Sequence, residues 1–140
     1  MQPDGRLRLR SYVWADQTAR LERLDGALAL AGAHPFELEK SDAAAFGIQA
    51  LANRPKNAVF VLFHSIMWQY MPRATKDAIL TALADEGAKA AAAAPIARLR
   101  MEPRDPNDDW ATLSLTLWPG GETRRLAKCD FHGRWIEWIA

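Results

Sequence analysis

Apolar residues recur every three to four positions near the start of the chain, which is the period of an amphipathic helix. The clearest such stretch predicts a helix over about residues 16–31, with Asp16 as its N-cap and Gly32 as its stop. Before it, residues 4–13 fit both a strand, because apolar and basic residues alternate there, and a short helix, which we favour. The first part of the chain is therefore predicted to be helical.

Strand and helix patterns then alternate along the chain. The run Ala58–Phe63 is apolar at every position, as expected of a central parallel strand covered on both faces. Alternation of strands with helices favours a parallel sheet with right-handed crossovers. The predicted elements are a strand at Phe36–Lys40, a helix at residues 43–52, a strand at Ala58–Phe63, a helix from Pro72 to Gly87, a further helical turn at Ala90–Ala94 and a strand at Ile96–Met101.

The last part of the chain changes to an alternation of polar and apolar positions, which predicts antiparallel strands. Thr112–Leu117 and Glu122–Cys129 alternate in this way, and the turn residues Pro119–Gly121 lie between them. Residues 134–139 fit a short strand or a terminal turn. The whole pattern predicts one α/β domain over residues 1–140, with a three-layer, Rossmann-like sheet whose parallel strands are followed by an antiparallel C-terminal hairpin.

Composition and charge narrow the function classes. The chain has 140 residues, 49% hydrophobic and 25% charged, as in an ordinary globular domain. A net charge of +1 gives little long-range attraction to phosphate, which disfavours nucleic-acid binding. The start of the chain lacks the apolar run of a signal peptide, and the longest apolar stretch is too short to cross a bilayer. We therefore expect a soluble cytoplasmic protein with neither a membrane nor a nucleic-acid partner.

Polar residues follow the predicted parallel strands, where open α/β sheets bind ligands. Asp42 follows the first strand, His64 and Ser65 follow the second, and Glu102 follows the third. If these strands are parallel neighbours, the side chains converge on one rim, where they could bind a polar ligand or act as acid and base. The alternative is structural, because polar residues often cap strand ends, and His64 would then fix the turn that follows it.

A second candidate lies in the aromatic C-terminal segment. His132 stands beside Gly133, which permits a tight bend, and Arg134 follows. The bend could present a polar group to a cleft or close the edge of the hairpin. Tryptophan is concentrated in this part of the chain, which fits core packing or, alternatively, an aromatic pocket or interface. Four of the six tryptophans are Trp110, Trp118, Trp135 and Trp138.

Several classes of active site have no motif in this chain. Ser65 is not in a Gly-x-Ser-x-Gly elbow, and Cys129, the one cysteine, alternates with apolar neighbours as a packed strand residue does. No pair of histidines has metal-ligand spacing, and the glycines form no phosphate-binding loop. We therefore predict neither a metal site nor an internal disulfide.

Five separated motifs are distinctive as a set. They are Trp14–Leu21, Phe63–Tyr70, Leu99–Pro103, Leu117–Glu122 and His132–Trp138. In this order they resemble the bacterial family catalogued as domain of unknown function 2332, over nearly the whole chain from about Leu7.

The resemblance implies a fold and a cofactor. The longer members of that family are similar to class I S-adenosylmethionine-dependent methyltransferases, with a glycine-rich cofactor segment ahead of the region that this chain resembles. The chain would then correspond to the second half of such a fold. If S-adenosylmethionine is bound, the resemblance places Asp42 near its adenine and His64–Ser65 near its reacting methyl group.

Two hypotheses follow. The first is a non-catalytic or incomplete methyltransferase-like module that binds a small ligand or assembles as a homodimer, through an open sheet edge or the tryptophan-rich hairpin. The second is an enzyme, either a small-molecule methyltransferase completed by a partner chain or another activity on the rim of Asp42, His64, Glu102 and His132. His64, Glu102 and His132 are the catalytic candidates. The ligand-binding candidates are Asp42, His64, Ser65, Glu102, His132 and Arg134.

Overall fold

The computed structural model describes residues 3–139 and divides into two compact units, Met1–Lys40 and Ser41–Ala140. None of the helices in the described range combines the length and apolar character needed to cross a membrane. The expectation of one α/β domain over residues 1–140 stays a prediction.

In its described part, the first unit contains two helices, α1 (Pro3–Ser11) and α2 (Thr18–Ala33). α1 confirms the helical interpretation of that stretch. α2 begins later than expected, with Gln17 rather than Asp16 as its N-cap, and it continues through Gly32 instead of stopping there. A Cβ at that glycine would lie 3.2 Å from a guanidinium nitrogen of α1. Gly32 therefore lies beside the Arg6 guanidinium and does not end the helix.

The strand predicted at Phe36–Lys40 is wrong. The backbone there pairs with no strand of the described chain, and the side chains of Phe36 and Leu38 are largely exposed. A strand needs partners for its backbone N–H and C=O groups, and those partners come from elsewhere in the fold. The local alternation of apolar and acidic residues therefore did not suffice to make a strand.

The second unit begins with α3 (Ala43–Ala52), which confirms the predicted helix. α4 (Arg73–Gly87) follows Pro72, also as predicted, and a short 3-10 helix at Trp68–Tyr70 precedes it. The strands are β1 (Phe60–Ser65), β2 (Ile96–Glu102), β3 (Ala111–Trp118), β4 (Glu122–Cys129) and β5 (Ile136–Trp138).

The helical turn predicted at Ala90–Ala94 is wrong. α4 ends at Gly87, and Ala91 and Ala94 form an isolated β-bridge in the connection to β2. A Cβ at Gly87 would lie 2.5 Å from the Trp118 ring, so the glycine lets the indole of β3 pack against the end of the helix. Tertiary packing at the end of α4 therefore overrides the high helix propensity of alanine.

Within residues 3–139, the five strands form one open sheet in the order β1-β2-β3-β4-β5. β1 and β2 are parallel, and all other neighbours are antiparallel, which confirms the mixed α/β class and the C-terminal hairpin. α3 and α4 pack together on one face of the sheet, around buried Leu51, Leu83 and Ile96. The parallel part is a single strand pair, because the strand predicted before α3 is absent.

β1 is an edge strand and not the central strand that its apolar run suggested. Phe60 and Leu62 pack against the core below the helices, whereas Val61 and Phe63 are more than half exposed. A continuous apolar run predicts that both faces of a strand are covered, but it does not show what covers them. β1 therefore presents an apolar face and an unpaired edge.

Candidate functional site

The parallel pairing of β1 and β2 brings two of the predicted rim residues together. Ser65, the last residue of β1, is opposite Met101, so that Glu102 lies beside the end of β1. His64 Nδ1 is 2.8 Å from Glu102 Oε1, and each side chain is only 8% exposed. An imidazole and a carboxylate therefore meet in the interior at this rim.

The Glu102 carboxylate organises the turn that follows β1. Besides His64, Oε1 accepts hydrogen bonds from the backbone N–H groups of Met67 and Trp68, each 3.2 Å away. Three donors on one oxygen suit an ionised carboxylate. Ile66, at the start of the turn, has a φ of 53°, a conformation that β-branched residues rarely adopt. The other carboxylate oxygen, Oε2, is buried and has no hydrogen-bond partner within the described residues.

Arg98, which sequence reasoning missed, completes this group of side chains. Its Nε and Nη2 atoms lie 3.3 and 3.2 Å from His64 Nε2. Its guanidinium carbon is 4.3 Å from the centre of the Trp68 ring, which in turn stacks on the imidazole at 4.7 Å. The alternation of side chains along a strand could have identified Arg98, because Arg98 and Glu102 are four residues apart in β2 and so share a face. We call His64, Trp68, Arg98 and Glu102 the His64 cluster.

The hydrogen bonds fix the tautomer of His64. A guanidinium can only donate, so Nε2 accepts from Arg98 and the ring proton is on Nδ1, which donates to Glu102. Burial lowers the pKa of His64 below its usual 6.5; the bond to Glu102 opposes this shift, and the charge of Arg98 adds to it. Burial also lowers the pKa of Arg98 to about 10, which still leaves it charged at neutral pH. His64 is therefore neutral, with both ring nitrogens engaged.

Asp42 and Ser65 do not join the cluster. Asp42 is the N-cap of α3, and its Oδ1 accepts from the backbone N–H groups of Ala44 and Ala45, at 2.9 and 3.1 Å. Its predicted place at a strand end was wrong, because the residues before it form no strand. Ser65 follows His64 directly in β1, so that its side chain is directed to the opposite face of the sheet.

His132 and Arg134 belong to a separate turn that Asp130 holds. Asp130 Oδ1 accepts from the backbone N–H groups of both residues, at 2.9 and 3.2 Å, and Oδ2 is 2.7 Å from Arg134 Nη2. The guanidinium holds the pKa of the Asp130 carboxyl well below its usual range. Gly133 has a φ of 73°, as the predicted bend requires, and His132 is exposed. Of the four-residue rim, only His64 and Glu102 are hydrogen-bonded to each other within residues 3–139.

A pocket of about 160 Å³ lies beside the His64 cluster, between α3, β1 and the 3-10 helix. Sequence reasoning did not find it, because its walls come from segments that are distant in the chain. Its lining is apolar apart from the imidazole and the indole of the cluster. The lining residues are Ala43, Phe46, Gly47, Leu62, Phe63, His64, Met67, Trp68, Met71 and Ile79.

This arrangement is a fixed polar group beside an apolar pocket. While Arg98 holds Nε2, His64 has no lone pair with which to take a proton from a substrate. Over the described part of the chain, no group of three or more His, Cys, Asp or Glu side chains is placed to hold a metal ion. In the state that the structure describes, the site therefore offers an apolar surface beside an imidazole whose orientation is fixed.

The chain belongs to the family described as an uncharacterized protein conserved in bacteria (DUF2332), whose model matches residues 1–138. This match confirms the family resemblance that the five motifs carry. No curated protein and no solved structure matches the chain.

Proposed function

We propose that the chain is a non-catalytic, cytoplasmic binding module and that the pocket beside the His64 cluster takes a small, neutral, ring-shaped ligand. One observation carries this proposal: an apolar pocket adjoins a histidine whose two ring nitrogens are both hydrogen-bonded within the protein. A site for acid–base chemistry would need one of those nitrogens within reach of the substrate.

The pocket walls favour an uncharged aromatic ligand. They contain no carboxylate, lysine or arginine that would compensate the cost of burying a charge. Phe46 and Trp68 supply aromatic faces, and Met67 and Met71 supply polarizable sulfur, which makes favourable contacts with rings. A volume of about 160 Å³ is close to that of an apolar cavity of roughly 150 Å³ that binds benzene. The ligand class is therefore a single ring or a small fused ring pair.

S-adenosylmethionine fits the described residues poorly. The Asp42 oxygen expected near its adenine already accepts two backbone N–H groups of α3. The pocket lining offers no carboxylate for ribose hydroxyl groups. A Rossmann-like, methyltransferase-like sheet would also need further strands beyond the β1 edge, which the described residues do not supply. Methyl transfer is therefore not proposed.

Calorimetric titration with indole tests the proposal. Indole should bind the wild-type chain and raise its Tm, because ligand at 100 times its Kd adds about 2.7 kcal/mol of stability. Indole-3-acetate carries the same ring with a carboxylate and should not bind, because the pocket has no group to pair with that charge.

Two leucine substitutions in α3 locate the binding site. Ala43→Leu puts a larger side chain into the pocket and should abolish indole binding. Ala45→Leu, at an exposed position of the same helix outside the pocket lining, should leave it unchanged. Circular dichroism of both variants checks that the helix is intact. Wild-type protein that ignores indole, or Ala43→Leu that binds it normally, would contradict the proposal.

A further inference from the structure

The outer edge of β1 carries unpaired backbone groups. The N–H groups of Phe60 and Ile66 donate to carbonyls on the β2 side of the strand. Because alternate residues of a strand direct their N–H and C=O groups to opposite sides, the odd-numbered residues direct theirs away from β2. No strand within residues 3–139 pairs with that side. The outward residues of β1 are Val61, Phe63 and Ser65.

This edge lacks the features by which proteins usually block an exposed strand. β1 is six residues long and contains no proline, lysine, arginine or acidic residue. Its one titratable residue, His64, is neutral and buried. The opposite edge of the sheet differs, because β5 has only three residues and Glu137 is at its centre. Of the two edges, β1 is therefore the one suited to pair with another strand.

Apolar side chains flank the β1 edge on both faces of the sheet. Six of them are between 38% and 57% exposed. At roughly 200 Å² for a large apolar side chain, they hold about 600 Å² of exposed surface, against the ~800 Å² that each partner buries in a standard interface. The backbone edge supplies additional area. The six are Phe46, Ile48, Val59, Val61, Phe63 and Met67.

We propose that β1 pairs antiparallel with β1 of a second copy of this chain, in the register that sets Leu62 opposite the partner's Leu62. A two-fold axis brings one surface against itself, so the strand must not repel its own copy. β1 meets this condition because it sets no charged residue opposite another. In this register Val61 lies opposite the partner's Phe63, and both direct their backbone groups into the interface.

The choice of register follows from the side chains. Two neighbouring registers also match outward residues with outward residues, and they would set Val61 opposite the partner's Val61 or Phe63 opposite the partner's Phe63. Among these registers and within the six residues of β1, only the Leu62 register sets a β-branched residue, Val61, opposite an aromatic one, Phe63, and it does so twice; this is a favourable cross-strand pair. The Leu62 register also pairs the longest stretch of the two copies, from Val59 to Ser65.

The added strand also completes the proposed ligand site. Leu62, Phe63 and His64 belong both to β1 and to the pocket lining. A second β1 would therefore lie along the pocket wall and shield a bound ring from water. This link to the ligand rests on the proposed function, whereas the strand pairing does not.

Val61→Lys tests the pairing. Sedimentation velocity at high micromolar concentration should show a wild-type dimer and, for the variant, the 15.6 kDa monomer. The dimer Kd should rise about 100-fold or more, because two lysines enter the strand interface. Leu117→Lys is the matched control. Leu117 is 45% exposed in the same cross-strand row, but its strand is paired on both sides, so this variant should remain dimeric.

Single-cysteine variants test the register in a Cys129→Ala background. Leu62→Cys should give a disulfide-linked dimer on mild oxidation, because the two Cα atoms of such a non-hydrogen-bonded pair are about 4.5 Å apart. Val59→Cys should not, because it faces the partner's Ser65. Circular dichroism confirms that each variant is folded.

The outcomes separate the two proposals. A monomeric wild-type chain, or a Val61→Lys variant that stays dimeric, would overturn the strand pairing. Cross-linking through Val59→Cys but not through Leu62→Cys would overturn the register. A dimer that does not bind indole would contradict the proposed function and leave the pairing intact.

Discussion

Glu102 and Asp130 are two buried carboxylates that each hold a turn, but in different surroundings. Each accepts hydrogen bonds from two backbone N–H groups. Asp130 directs its second oxygen to Arg134, whose side chain is at the surface, so both oxygens are used. Glu102 adds a bond to His64 on the same oxygen and leaves its other oxygen unpaired in the interior.

The histidines near the two carboxylates also differ, because one takes part in the turn through its backbone and the other through its ring. His132 contributes its backbone N–H to the turn and keeps its ring exposed. The His64 ring is itself the link between Glu102 and Arg98. A carboxylate that caps a turn is common, and the His64 cluster is a candidate site because it borders an apolar pocket. The comparison predicts that the cluster is far more sensitive to substitution than the Asp130 turn.

Glu102→Ala should have the largest effect. The substitution leaves the N–H groups of Met67 and Trp68 unpaired and Arg98 buried without the neighbouring negative charge. Breaking a buried charged network in this way costs about 3–5 kcal/mol. Urea denaturation followed by circular dichroism measures the loss. Glu137→Ala, on exposed β5, should change the free energy of unfolding by less than about 0.5 kcal/mol. Equal losses of stability for Glu102→Ala and Glu137→Ala would show that the cluster is no more sensitive to substitution than the exposed surface.

Asp130→Asn should destabilise the chain less, and its effect should depend on acid. Because Arg134 holds the pKa of Asp130 below its unfolded value, the carboxylate stabilises the fold above about pH 4 and loses that effect as the pH falls further. Urea denaturation between about pH 5 and pH 2 should therefore show a steeper acid loss for wild type than for the variant. Identical acid slopes would mean that Asp130 is not held by Arg134 in solution.

His64→Gln should flatten the pH dependence of stability just below neutrality. The pKa of His64 is lowered from 6.5 in the folded chain, so the unfolded chain binds this proton first as the pH falls. The stabilisation of the fold by neutral His64 is therefore complete above about pH 6.5 and decreases below that value. The free energy of unfolding, measured by urea denaturation across this range, should slope for wild type and be flatter for the variant. His132→Gln, at an exposed histidine outside the cluster, serves as the matched control.

Gly47→Ala should have the smallest effect, and it should stabilise. A Cβ there would meet only a Leu62 methyl group at 3.9 Å, and alanine is favoured over glycine in a helix by about 0.8–1 kcal/mol. Gly26→Ala in α2 has open space and should gain a similar amount. Thermal denaturation compares the two. Since only Gly47 lines the pocket, only its substitution should weaken indole binding, and equal binding by both variants would place the ligand elsewhere.

The helices and the C-terminal hairpin were predictable because their signals are local. The 3.6-residue period of α3 and α4 and the turn before Glu122 lie within short windows of the chain. The meeting of His64 with Glu102 was also predictable, because it needs only two neighbouring parallel strands with polar residues at their ends.

The other features of the fold and of the site depended on contacts between residues that are distant in the chain. The apolar run of β1 fits a central strand and an edge strand equally well, and only the missing partner decides between them. Asp42 was misplaced because its pattern fits a strand end as well as a helix N-cap. Arg98 was missed because its role depends on tertiary packing, which sets its guanidinium against the Trp68 ring and beside His64 Nε2. The sequence pattern predicts the secondary-structure elements, but the role of each element depends on contacts with residues that are distant in the chain.

The protonation of His64 tests most directly whether its ring is held rather than available for catalysis. Nuclear magnetic resonance of the ¹⁵N-labelled imidazole reports the tautomer and its titration. We expect a neutral ring at pH 7, protonated at Nδ1 and unprotonated at Nε2, that titrates only below 6.5. A proton on Nε2, or a titration above 6.5, would contradict the account, because the ring would then be free of Arg98 and able to exchange protons with a substrate.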